Sequence, residues 1–115
     1  MEVKRKVCIV GDGGWGTALG LLMLSNGYKV TMWGPFEDYL EEIRRTGENS
    51  RYLAGVKMPP EQEWTSCVAH AADGAELVVL ATPSHFFKNV CEKFAGLIPP
   101  KADVVSVTKG FCKET

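Results

Sequence analysis

At 115 residues the chain has room for one domain with a single core, and too little for a complete two-substrate enzyme. Hydrophobic residues at 45% and charged residues at 23% match an ordinary globular composition and exclude disordered and fibrous classes. With a formal net charge of −1, and Lys and Arg scattered apart from Lys4, Arg5 and Lys6, no electrostatic footprint for nucleic acid is present.

Residues 6–10 form a short β-branched apolar run that ends at glycine, as a buried strand does. Over 14–26, Ala18, Leu19, Leu22 and Met23 recur at helical spacing, and Asn26 with Gly27 supplies a stop. Residues 29–33 read as a second strand ended by Gly34 and Pro35. A second helix over 37–45 has Leu40, Ile43 and Arg44 marking its faces. Residues 47–63 hold Gly55, Pro59 and Pro60 with little periodicity and are expected to form a long loop. A short third strand over 64–69 and a brief helical turn over 70–74 follow. The clearest strand is 76–81, then come Thr82, Pro83, a helix over 84–95 and a last buried strand over 103–107. Strands and helices alternating at these spacings call for right-handed crossovers. The expected fold is therefore α/β in three layers, with a mostly parallel sheet of order 3-2-1-4-5 covered on both faces.

The longest apolar run, 18–24, is broken by Gly20 and falls short of the roughly 20 residues of a membrane span. The basic N-terminus leads into a glycine cluster in place of a cleavage site, so no signal peptide is expected. Cys8, Cys67, Cys91 and Cys112 form no CxxC pair and read as free thiols of a reducing cytoplasm, in preference to a disulfide or metal role. His70 and His85 have no metal-ligand spacing to each other or to the cysteines, and no metal is expected.

The string GDGGWGTAL follows the first strand and opens the first helix, with glycines at Gly11, Gly13 and Gly16. Gly11 allows the tight turn, Gly13 leaves room for a pyrophosphate to approach the backbone, and Gly16 lets the helix pack on the strand. The helix N-terminus then faces the anion. As a bare pattern the glycines are weak; strand before and helix after is the context that the motif requires. An acid about 20 residues further on usually holds the adenosine ribose. Here Gly34, Pro35 and Phe36 stand at that place. Glu37 and Asp38 read as first-turn acids of the second helix, and Phe36 as either an adenine platform or a helix-entry staple.

With GDGGWGTAL, NSRYLAGVKMP (49–59), LATPSHFF (80–87) and SVTKG (106–110) in view, the chain resembles NAD(P)-dependent glycerol-3-phosphate dehydrogenase. The likeness runs over nearly the whole chain and covers only that family's N-terminal domain, a Rossmann-type domain followed in the family by a largely helical substrate domain with the main catalytic lysine. It implies residues 1–115 as the NAD(P)-binding domain of a cytoplasmic oxidoreductase of glycerol-3-phosphate metabolism and phospholipid biosynthesis. That enzyme interconverts sn-glycerol 3-phosphate and dihydroxyacetone phosphate, and a homodimer is compatible with its intact form. By the same resemblance, Gly14 and Trp15 line the cofactor phosphates and the nicotinamide side of the turn, and Pro35 and Phe36 lie near the adenosine ribose. Tyr52, Pro83 and Phe86 match cofactor contacts, and Lys109 matches a lysine that reaches both cofactor and substrate.

Two departures from the family stand out. Asp12 replaces a small apolar residue, and its charge should weaken pyrophosphate binding unless the side chain points to solvent. Pro35 replaces a cationic or aromatic side chain, which removes support for a ribose 2′-phosphate and favours NAD, with NADP as the second option. Apart from the family, Lys109 sits just after the last strand at the ligand-binding edge of an α/β sheet, where it can neutralise a phosphate or polarise a carbonyl. On the residues alone a solvated loop lysine is the stronger reading. Two rivals remain at this stage: a related Rossmann dehydrogenase with another small substrate, and a stand-alone dinucleotide-sensing module.

Overall fold

Alternation within the run KVCIV decides the architecture. In β1 (Lys6–Val10), Val7 and Ile9 belong to one buried cluster while Cys8 and Val10 belong to another, so both faces of the strand are covered. The computed structural model describes residues 5–50, 53–82 and 84–106, without the side chains of 53, 54 and 84–87. The sequence expectations for Tyr52, Pro83 and Lys109 fall outside the described residues, as does the side chain of Phe86.

The chain continues through α1 (Gly14–Ser25), β2 (Lys29–Trp33), α2 (Glu37–Thr46), β3 (Glu48–Asn49) and β4 (Leu53–Lys57). Then come β5 (Glu63–Thr65), α3 (Val68–Ala72), β6 (Leu77–Leu80), α4 (Ser84–Phe94) and β7 (Asp103–Ser106). Five strands pair in parallel in the order β5-β2-β1-β6-β7, which is the expected 3-2-1-4-5 once the hairpin strands β3 and β4 are set aside. One core layer joins Val7, Ile9, Val30 and Met32 to Leu40 and Ile43 of α2 and to Leu19 of α1. The other joins Cys8, Val10, Val78 and Leu80 to Ala71, Val90 and Phe94 from α3 and α4, with Trp33 meeting Phe94 edge-on at 5.4 Å between ring centroids. Burial pushes the Cys8 thiol up to about 12, with Lys6 opposing the shift, so the thiol stays protonated and inert. Its stabilising contribution is complete below the ordinary thiol range and is lost as pH rises toward about 12.

Several local expectations need correction. The 47–63 segment is not a structureless loop: Glu48 pairs with Lys57 and Asn49 with Leu53 in an antiparallel hairpin, closed by Met58 N–H donating to Gly47 O at 2.7 Å. Strands this short, one of them interrupted by Gly55, leave no period to read. The third parallel strand is Glu63–Thr65, and the helix that follows begins at Val68 and not at residue 70. The last strand is not buried. Among the described residues β7 pairs with β6 alone, and Val104 and Val105 are about half exposed.

Of the apolar positions expected to mark the inner face of α1, Leu19 and Met23 pack against the core, but the fully buried positions are small residues beside them. Leu22 is exposed, whereas Gly16, Thr17 and Gly20 are the buried positions. The helix meets the sheet through small residues at i, i+1 and i+4, which lets its axis lie close to β1 and β2. A Cβ added to Gly20 would lie 2.7 Å from Met32 Sδ. That close approach brings the middle of α1 against Met32 of β2.

Candidate functional site

The carboxyl ends of β1 and β6 open the crevice at which the strand order reverses, the place where open α/β sheets bind their ligands. Gly11 leaves β1 with φ +127°, a conformation that L side chains rarely adopt, and a Cβ there would meet Ala81 O at 2.9 Å. Its N–H donates to Trp33 O at 2.8 Å, which ties the turn to the end of β2. Gly16 packs as tightly: an added Cβ would lie 2.7 Å from Gly11 O and 3.2 Å from Ala81 Cβ.

Gly13, between them, is different in kind. Among the described residues, no atom beyond its chain neighbours lies within 4 Å of where its Cβ would be, and it is the N-cap of α1 with no side-chain capping hydrogen bond. The first turn of α1, from Gly14, carries no acid. Backbone N–H groups with no side-chain cap, the positive end of the helix dipole and open space in front of Gly13 together form a cradle that suits a phosphate oxygen. Trp15 stands beside it, 54% exposed.

Four residues given no role from the sequence hold this turn in place. Asn49, fully buried at the start of the hairpin, donates from Nδ2 to Asp12 O at 2.8 Å and to Thr17 Oγ1 at 2.9 Å. Thr17 Oγ1 donates in turn to Asp12 O at 3.3 Å, and Tyr39 OH donates to Asn49 Oδ1. On the other side Thr82 Oγ1 donates to Val10 O at 3.1 Å at the root of the turn. The sequence signal for Asn49 was its place in NSRYLAGVKMP, but nothing local connects it with a turn 37 residues away. Replacing Asn49 by Ala removes the bonds it gives to Asp12 O and Thr17 Oγ1 and the bond it accepts from Tyr39. A loss of about 2–4 kcal/mol in stability is expected, measured by urea denaturation.

The end of β2 departs from the expectations for Asp12 and Phe36. The Asp12 carboxylate does not point to solvent over the cradle: a Cβ added to Gly34 would lie 2.5 Å from Asp12 Oδ2, so the side chain lies against the end of β2. Phe36 is itself the N-cap of α2 and 65% exposed, which removes the staple reading, since a staple residue precedes the cap and packs inward. Pro35 beside it is also exposed. Glu37 and Asp38 do occupy the first turn of α2. The Arg44 guanidinium, at 2.8 Å, and Ser66 Oγ hold the Glu37 carboxyl below the usual carboxylate range. Gly11, Gly13, Gly14, Trp15 and Gly16 thus form the turn after β1 and the start of α1, and Pro35 and Phe36 follow the end of the neighbouring strand β2, exposed. Thr82, just beyond the end of β6, is tied to the last residue of β1 by its bond to Val10 O.

A family model described as NAD-dependent glycerol-3-phosphate dehydrogenase N-terminus matches residues 6–115. Glycerol-3-phosphate dehydrogenase [NAD(P)+] of Desulfotalea psychrophila is 35% identical over 114 residues, which are 99% of this chain and 34% of that protein. Its counterpart in Anaeromyxobacter sp. is 39% identical over 110 residues, 96% of this chain and 33% of the other. The crystal structure of glycerol-3-phosphate dehydrogenase from Coxiella burnetii superposes with a TM-score of 0.88 at 31% identity, covering 96% of this chain and 34% of that one. The chain therefore spans about a third of the length of the relatives it matches.

Proposed function

Since the chain belongs to the NAD-dependent glycerol-3-phosphate dehydrogenase family, matched through its N-terminal model over residues 6–115, we propose that it binds NAD(H) across the carboxyl edge of its sheet. We propose further that it serves the interconversion of sn-glycerol 3-phosphate and dihydroxyacetone phosphate. The observation that carries this reading is the cradle at Gly13, open to an anion while Gly11 and Gly16 on either side are packed against backbone.

The cofactor fits these residues. Gly13, Gly14 and Trp15 would receive the pyrophosphate on their backbone N–H groups, and Phe36 and Pro35 would flank the adenosine. The nicotinamide ring supplies the hydride when bound. The chain's own residues supply binding, orientation and electrostatics. Tyr52, Pro83 and Phe86 are assigned to the cofactor by resemblance. Lys109, one residue before a glycine and three after the end of β7, is assigned to the place where its ammonium group faces both cofactor and substrate phosphate. The relatives are about three times as long, and the proposal gives the main catalytic lysine and the rest of the substrate pocket to a further domain. A cytoplasmic setting and a homodimeric whole enzyme belong to the same proposal. No helix among the described residues is long and apolar enough to cross a membrane.

Titrating the 115-residue chain with NADH, followed by tryptophan fluorescence, tests the reading. Saturable binding displaced by NAD+ is expected, with no steady oxidation of NADH when dihydroxyacetone phosphate is added. Absence of binding would overturn the cofactor assignment. Steady turnover would overturn the placement of the catalytic lysine in a further domain.

A further inference from the structure

An adenosine ribose in an open α/β site is ordinarily held by an acid at the end of the second strand. Gly34, Pro35 and Phe36 stand there, and none has a side chain that accepts a hydrogen bond. A carboxylate nevertheless reaches this place, from the other wall of the crevice. Asp12 Oδ2 lies 2.5 Å and Asp12 Cγ 2.9 Å from the position that a Cβ on Gly34 would occupy. Oδ2 is shielded from solvent, while the residue as a whole is partly exposed. Only a residue without a side chain at 34 admits this arrangement, so Asp12 and Gly34 are complementary.

The backbone that carries the Asp12 side chain is fixed on both sides. Gly11 N–H is bonded to Trp33 O at 2.8 Å, and the Asp12 carbonyl accepts from Asn49 Nδ2 at 2.8 Å and from Thr17 Oγ1 at 3.3 Å. We propose that Asp12 is the residue that sets cofactor specificity: it accepts hydrogen bonds from the adenosine ribose hydroxyls in place of the missing strand-end acid, and its charge excludes a ribose 2′-phosphate. This inference rests on the dinucleotide-binding reading above. A carboxylate facing two hydroxyls gains charge-assisted hydrogen bonds, and the same carboxylate facing a phosphate meets like charge with no cation at 34–36 to offset it.

The experiment compares dissociation constants of the 115-residue chain for NADH and NADPH, and for ADP-ribose and its 2′-phosphate, at one salt concentration. Wild type is set beside Asp12→Asn and Asp12→Ala, with circular dichroism on each. The wild type should prefer NADH and ADP-ribose. Asp12→Asn, nearly isosteric, should reduce that preference by about tenfold or more, chiefly through tighter binding of the 2′-phosphorylated ligands. An unchanged preference in both variants, or a wild type that prefers NADPH, overturns the role of Asp12 and leaves cofactor binding standing. A wild type that binds none of the four ligands overturns the cofactor assignment and this inference with it.

Discussion

Replacing Gly13 by Val should abolish measurable NADH binding, by about 100-fold or more in dissociation constant, while the far-ultraviolet circular dichroism and the urea midpoint stay close to those of the parent. The two halves of this expectation come from one fact. Gly13 has φ −70° and ψ 177°, an extended conformation open to any residue, and among the described residues no atom beyond its chain neighbours lies within 4 Å of where a Cβ would stand. The Cβ of valine therefore clashes with none of the described residues. Its cost as an N-cap relative to glycine is about 1 kcal/mol. The space that it fills is instead the space through which a pyrophosphate must approach the first N–H groups of α1, and a branched side chain there keeps the phosphate oxygens beyond hydrogen-bond distance. Parent-like affinity in a folded Gly13→Val chain would mean that the dinucleotide does not use this cradle.

What could be read from the sequence, and what could not, divides along a physical line. The parallel sheet and its order followed from runs such as KVCIV and LVVL, which are apolar on both faces because helices cover both sides, and from the short spacing of the elements between them. The glycine turn was legible because each of its glycines answers a local requirement of a strand-turn-helix junction. The hairpin at Glu48–Asn49 and Leu53–Lys57 was not, since two residues cannot show a period and the pairing is partly made by a side chain, Glu48 Oε2 accepting from Gly55 N–H at 3.0 Å. The roles of Asn49 and Thr82 escaped for another reason. Each bonds to a carbonyl of the turn or its root across 37 and 72 residues of chain, and long-range satisfaction of one buried carbonyl leaves no pattern in composition or spacing. The Asp12 charge was visible, but its direction depended on the absence of a side chain at Gly34, which becomes meaningful only once β1 and β2 are neighbours in register, Val10 opposite Trp33.

Gly16 gives the opposite expectation from Gly13 although the two are three residues apart. A Cβ at 16 would stand 2.7 Å from the carbonyl oxygen of Gly11 and 3.2 Å from Ala81 Cβ, and neither neighbour is the free end of a flexible side chain. Room for Gly16→Val can come only from lifting α1 off β1 and β6. That movement would open the contact at Gly20, one turn along the helix, and pull Thr17 away from Asn49 Nδ2, to which it is bonded at 2.9 Å. Overpacking and the loss of a buried hydrogen bond together should cost about 2–4 kcal/mol, seen as a lower urea midpoint at an unchanged m value. Binding should fall as well, because the same displacement carries the N–H groups of the first turn away from the position set by Gly11, and a shift of about 1 Å is enough to weaken hydrogen bonds to a phosphate. Fold and affinity are thus expected to fail together at 16 and separately at 13. A Gly16→Val chain with parental stability would show that α1 does not rest on the turn as closely as these distances require.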